Sequence, residues 1–224
     1  MTILRTRPIH PLQAIAFDLD GTLVDTLPDL AYTMNSALAQ LKLPPVPMRL
    51  VRQSLHAGLE GAARAAIARL HAPPELLPDL LRLYRHEYRR HICRSSSPFP
   101  GVQSMLDRHH RQGIKLGICT NKDESDALLL LDTLGLLHYF EAVVGGDTLP
   151  KKKPAPDPLV ALLGRLHIPT RAAVMVGDTY VDMQCAHSAG VPCALYSGGY
   201  GQITSSGIKP GFVFSDYDTL DLKP

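Results

Sequence analysis

Asp18 and Asp20 stand two residues apart at the end of an apolar run, within AIAFDLDGTLVDT at residues 14–26. Carboxylates are costly at the end of a buried strand unless something compensates their charge. In an extended chain, side chains two apart point to one face, so these two aspartates share a direction. Gly21 permits a sharp exit from the strand. Three further polar clusters follow apolar runs in the same way: TNK after GIKLGIC, KKKPAP beyond VVGGD, and GDTYVD after AAVMV. Carboxylates, a lysine and loops rich in backbone donors fit a Mg²⁺-assisted phosphoryl site. Mg²⁺ takes oxygen ligands, usually one or two carboxylates, with water and substrate phosphate completing its shell. Asp178 would supply a second carboxylate opposite Asp18, and Asp182 follows four residues on, placed for a metal-bound water. Mg²⁺ and a lysine such as Lys153 would offset the negative charge of phosphate and aspartates gathered in one cleft, and Thr120 with the amides after it could donate to phosphoryl oxygens.

These clusters must be carried by elements that bring them together. Apolar runs at Ala14–Asp18, Ile114–Thr120, Ala142–Gly145, Ala172–Gly177 and Cys193–Tyr196 predict short buried strands. Helical patterns lie between them at Val102–Gln112, Glu124–Leu134, Asp157–Leu166 and Val181–Ala189. The alternation argues for an α/β fold with a doubly wound parallel sheet, a Rossmann-like core in which ligands sit beyond the carboxyl ends of the strands. About 70 residues interrupt it with helical periodicity and no strand pattern. The segments LPDLAYTMNSALAQL, LEGAARAAIARLH and PELLPDLLRLYRHEYRRHI are separated or closed by proline-containing breaks. The expected organisation is therefore a core from residues 1–26 and 98–224 with a helical insert over 27–97.

Composition narrows the class of partner. The chain has 224 residues, 45% hydrophobic and 20% charged, with a formal net charge of +2. That balance gives no reason to expect nucleic acid or a membrane surface. The N-terminal residues lack a continuous apolar stretch, and no run approaches the roughly 18 apolar residues of a membrane span. Cys93, Cys119, Cys185 and Cys193 lack CxxC spacing, which speaks against a zinc site or a disulfide framework. A cytoplasmic protein, monomer or homodimer, acting on a small molecule is the expectation.

The four clusters in order resemble the motifs of the haloacid dehalogenase-like phosphohydrolase superfamily. FDLDGTLVDT is similar to its first motif, Thr120 with NK to its second, Lys153 in KKPAPDP to its third, and GDTYVD to its fourth. The resemblance implies Asp18 as nucleophile, forming an aspartyl-phosphate, and Asp20 as the acid and base that serves the leaving oxygen and then the attacking water. It implies Mg²⁺ held by Asp18, the backbone carbonyl of Asp20 and Asp178, with Asp182 in support. Thr120 and Asn121 would bind the phosphoryl group, and Lys153 would stabilise charge around Asp18. Dehalogenase members lack an acid two residues after the nucleophile, because a halide leaves without a proton, so Asp20 favours phosphate chemistry.

The helical insert resembles the family's cap placed just after the first motif. Within HAGLEGAARAAI, Gly58 and Gly61 would allow a close approach, and His56, Glu60 and Arg64 are candidates for reading the substrate. FPGV, TNK, GGDTLPKKKPAPDPL and GGYG resemble bacterial phosphoglycolate phosphatases, which implies 2-phosphoglycolate as substrate. Phosphatases for N-acetylmuramic acid 6-phosphate share much of the pattern. A phosphomutase of the same fold and a non-catalytic binding protein are the other readings. DGT, where such mutases often carry DGV, favours hydrolysis. Asp25 is expected as a turn or N-cap group, the pair His109–His110 as a solvated helix end, and YRHEYRR with His91 as an exposed helix face.

Overall fold

The computed structural model describes residues 11–201, 208–220 and 222. They form two compact units, one of the described residues up to 24 and from 98 onward, and one of residues 25–97. The first is built on a six-stranded sheet: β1 (Ala14–Phe17), β4 (Lys115–Cys119), β5 (Ala142–Val144), β6 (Ala173–Gly177), β7 (Cys193–Tyr196) and β8 (Phe212–Phe214). Two short strands, β2 (Val24–Asp25) and β3 (Ser97–Pro98), pair with each other where the chain leaves and re-enters that unit.

The sheet order is β5-β4-β1-β6-β7-β8, and every pairing between these neighbours is parallel. β1 is central and wholly buried, which explains why AIAF has no alternation: a strand covered on both faces has no solvent side. The chain runs outward from β1 to β4 and β5, then returns to β6 on the other side of β1. That reversal opens a crevice at the carboxyl end of β1, where parallel sheets bind ligands. Phe17 pairs with Ile118 on one side and Val176 on the other, so Asp18, Thr120 and Asp178 all follow within two residues of these partners, at the carboxyl ends of adjacent strands. Helices α7 (Asp157–Arg165) and α8 (Tyr180–Ser188) cover one face, joining Leu159, Leu162, Leu163, Met183 and Ala186 to Ala14, Ala16, Met175 and Leu195 in one core. α5 (Val102–Arg111) and α6 (Glu124–Thr133) are the other α-helices among the described residues of this unit.

The second unit comprises α1 (Leu27–Gln40), α2 (Met48–Ser54), α3 (Gly58–Leu70) and α4 (Leu77–Arg90). Leu30, Met34 and Leu38 share a core with Ala63, Ile67, Leu80, Tyr84 and Tyr88. Asp29, in the first turn of α1, is buried and accepts from the Ser95 and Ser96 amides and from Ser96 Oγ, at 2.7 to 2.9 Å. A charged acceptor with several donors ties the returning chain to the start of the helix.

Five details differ from the sequence reading. β8 is an edge strand of three residues with Val213 exposed, too short to show a period. α2 buries only Val51, so its sequence carries little amphipathic signal. His109 is fully buried, its Nδ1 2.9 Å from the Met105 carbonyl, while His110 is exposed; the pair is split between the core and solvent faces of α5 rather than forming a solvated end. In YRHEYRR, Tyr84 and Tyr88 are buried with parallel rings 6.0 Å apart, because residues four apart share one face and these point into the helical core. The N-cap position of α1 is Thr26, and Asp25 lies in β2 instead.

Candidate active site

The Asp18 amide donates to Val176 O, which continues the β1–β6 ladder one residue beyond β1. The Leu19 amide donates to Asp18 Oδ1 at 2.7 Å, and Lys153 Nζ lies 3.0 Å from the same oxygen. Gly21 then turns the chain at φ +85°, a left-handed conformation that glycine adopts without strain. A Cβ there would lie 2.6 Å from the Tyr200 ring and 2.7 Å from Asp178 Oδ2. Gly21 therefore serves both the turn and the closeness of the loop to Asp178.

Asp178 is held from two sides. Thr22 Oγ1 donates to its Oδ1 at 2.8 Å, and the Tyr200 amide donates to its Oδ2 at 2.7 Å. The GGYG segment reaches this close only because Gly199 and Gly201 lack side chains: a Cβ on Gly199 would lie 2.3 Å from Gly21 O, and one on Gly201 2.2 Å from Asp178 O. Tyr217 OH donates to Thr22 O at 2.6 Å and so braces the loop that braces Asp178.

Asp182 is fully buried in the first turn of α8. Its Oδ2 accepts from the amide and hydroxyl of Thr179, closing a capping box, and its Oδ1 accepts from Lys153 at 2.6 Å. Lys153 thus stands between Asp18 and Asp182 with its side chain 2% exposed, whereas Lys151 is 70% exposed and pairs with Asp157. Asn121 Nδ2 donates to Lys153 O at 3.0 Å, so that side chain holds the lysine's backbone. Thr120 is buried, and its Oγ1 accepts from the Lys122 amide at 3.3 Å.

Ligand oxygens of Asp18, Asp178 and Asp182 all lie within 4.8 Å of one another, and the structure could hold a metal ion among them. Burial pushes the Asp18 carboxyl up to about 6, with Lys153 pulling it down and Asp182 adding to the rise. Burial, then the charges of Asp182 and Asp18, push Asp178 up to about 8. For Lys153 burial alone would lower the pKa, but Asp18 and Asp182 outweigh it and hold the ammonium well above its ordinary value. Three buried carboxylates around one lysine are short of positive charge, and every donor they offer is a hard oxygen. A small oxygen-seeking divalent cation fits both needs.

Asp20 is not in that carboxylate group; its side chain pairs with Lys122, whose Nζ lies 3.1 Å from both carboxylate oxygens. Glu60 and Arg64 pair with each other across one turn of α3, Arg64 Nη2 lying 2.6 Å from Glu60 Oε1, on a largely exposed face. His56 belongs to the single turn Leu55–Ala57, and its side chain lies outside the described residues. Gly58 adopts φ +74°, and the close approach at Gly61 is to Ala57, whose Cβ a side chain there would meet at 2.2 Å. Lys122, Thr22, Gly199 and Tyr217 had no assigned role in the sequence reading. TNK, DGT and GGYG carried a signal for the first three, whereas Tyr217 carried none.

The family described as haloacid dehalogenase-like hydrolase matches residues 15–196. The chain belongs to this family. It is 41% identical over 196 residues to a phosphoglycolate phosphatase of Caulobacter vibrioides, covering 86% of this chain and 83% of the relative. It is 35% identical over 224 residues to that of Mesorhizobium japonicum, covering 97% and 95%. A crystal structure of a predicted phosphoglycolate phosphatase from Haemophilus somnus superposes with a TM-score of 0.87 at 31% identity, covering 94% of this chain and 96% of that one. The chain is thus a hydrolase of the haloacid dehalogenase-like family, similar to phosphoglycolate phosphatases. Among its described residues no helix is long and apolar enough to cross a membrane.

Proposed function

We propose that this hydrolase is a cytoplasmic Mg²⁺-dependent phosphatase for a small phosphate monoester, with 2-phosphoglycolate as its leading substrate. The observation that carries the reading is the buried set of Asp18, Asp178 and Asp182 around Lys153 at the carboxyl end of β1. The relatives named phosphoglycolate phosphatase support the substrate. Asp18 is the nucleophile: its hydrogen bond from Leu19 and its contact with Lys153 both fall on Oδ1, which leaves Oδ2 to attack phosphorus. The Asp18 O–P bond forms as the ester P–O bond breaks, and Asp20 gives a proton to the departing alcohol oxygen. Asp20 then takes a proton from the water that splits the aspartyl-phosphate, and phosphate leaves. Asp18, the Asp20 carbonyl and Asp178 would hold Mg²⁺, with Asp182 in support; when bound, it supplies positive charge against the phosphate dianion. Thr120 and the Asn121 amide donate to the phosphoryl oxygens, and Lys153 balances charge beside Asp18. The candidates for reading the substrate are His56, Glu60 and Arg64, of which Arg64 pairs with Glu60 on an exposed face of α3.

The test is phosphate release with Mg²⁺ from 2-phosphoglycolate, N-acetylmuramic acid 6-phosphate, several sugar phosphates and p-nitrophenyl phosphate, ranked by kcat/KM. Turnover should be lost in folded Asp18→Asn protein, and a variant that still turns over would sink the nucleophile assignment. Release from none of the substrates would favour a binding protein. Isomer formation that requires a bisphosphate primer would favour a mutase.

A further inference from the structure

Lys122 has no part in the scheme above, yet its side chain is only 6% exposed and it faces an Asp20 side chain that is 18% exposed. Its Nζ lies 3.1 Å from both Asp20 oxygens, so the ammonium sits symmetrically on the carboxylate. The two residues come from neighbouring strands: Asp20 from the loop after β1, Lys122 from the loop after β4. The Lys122 backbone is fixed at both ends, its amide on Thr120 Oγ1 and its carbonyl accepting from the Gly146 amide at 2.8 Å. A solvated ion pair would contribute little and hold no fixed geometry. This one is largely removed from water, and each partner needs the other.

We propose that Lys122 is the positioning residue for Asp20, a role that rests on the phosphatase reading above. When Asp20 carries the proton it delivers, one oxygen keeps the ammonium and the other holds the proton, so Lys122 sets the line along which that proton passes to the leaving oxygen. Lys122 itself exchanges no proton and touches no reacting atom. Small misplacement of a proton donor is expensive: about an ångström can cost on the order of 100-fold. The cost depends on the leaving group, since an alkoxide must be protonated as it departs and a nitrophenolate need not be.

The experiment measures kcat/KM of wild type, Lys122→Met and Lys122→Arg on three phosphates: 2-phosphoglycolate, ethyl phosphate as a neutral alkyl ester, and p-nitrophenyl phosphate. This ratio reads the steps through alcohol release. Lys122→Met should lose about 100-fold on both alkyl esters and less than about 5-fold on the aryl ester. Lys122→Arg should recover most of the alkyl-to-aryl ratio. Because the inference is read from that ratio within one preparation, a partly unfolded variant does not disturb it. Equal losses on all three substrates, or none, would overturn the positioning role. A loss confined to 2-phosphoglycolate would overturn it too, and would make Lys122 a reader of the substrate carboxylate. If wild type releases phosphate from none of the three, the phosphatase reading itself fails and takes this inference with it.

Discussion

Replacing Lys153 by methionine removes the buried cation but keeps most of the side-chain volume. Lys153 Nζ is 3.0 Å from Asp18 and 2.6 Å from Asp182. At an effective dielectric near 20, unit charges at those separations attract by about 5 to 6 kcal/mol per pair. Desolvating the ammonium and the two carboxylates offsets much of that sum. What a variant measures is therefore the cost of leaving buried carboxylates without their cation, about 3 to 5 kcal/mol. A typical folded domain is stable by roughly 5 to 15 kcal/mol, so the variant should be visibly compromised. The assay is denaturant unfolding of metal-free wild type and Lys153→Met at pH 8 and pH 6, the values near which Asp178 and Asp18 titrate. The loss should be larger at the higher pH, because protonated carboxyls need no counter-charge. Mg²⁺ should stabilise the variant more than wild type. A loss below about 1 kcal/mol, the range of a solvated ion pair, would refute the claim that this lysine neutralises the site.

The raised carboxyl pKa values carry their own sign. Asp18 and Asp178 bind protons more tightly in the folded chain, about 6 and about 8 against an ordinary 3.8. Their contribution is therefore full below about pH 4 and is lost as pH rises through 6 and 8. The melting temperature of the metal-free protein should fall across that window, and the upward shift given by Mg²⁺ should grow from pH 6 to pH 8; a shift independent of pH would contradict the assignment of these carboxylates to the metal. Gly199→Ala places a Cβ 2.3 Å from Gly21 O and 2.4 Å from Asp178 Cβ, so the loop must move and the Tyr200 amide must leave Asp178. Calorimetry should show Mg²⁺ affinity weakened at least about tenfold and stability lowered by about 1 to 3 kcal/mol, and unchanged affinity would show that the loop does not position this ligand.

The parallel core was legible because each of its first five strands is a short apolar run closed by polar or glycine residues, and the four helices of that unit fall within a residue or so of their periodic patterns. β8 was not legible: a strand of three residues at a sheet edge has neither the length nor the burial to mark it. His109 shows the other limit, since adjacent histidines look alike in sequence although the helix sends one into the core and the other to solvent. In the helical unit, α2 was missed because one buried valine makes no pattern.

What the sequence determined by itself was the set of chemical groups and their order along the chain: Asp18, Asp20, Thr120, Lys153, Asp178 and Asp182, each placed at or just beyond an element that local pattern could identify. It did so because burial periodicity and loop chemistry are local, and Asp18 and Asp20 lie two residues apart. Which groups touch was decided only by the tertiary structure. The pairing of β1 with β6 ends both strands together and brings the carboxylates of Asp18 and Asp178 close, the loop after β5 brings Lys153 between Asp18 and Asp182, and neighbouring strands deliver Lys122 to Asp20 across 102 residues. Charge compensation acts through space over a few ångströms, so spacing along the chain assigned no partner to Asp20 and no lysine to Asp182; for Asp18 the resemblance alone pointed to Lys153.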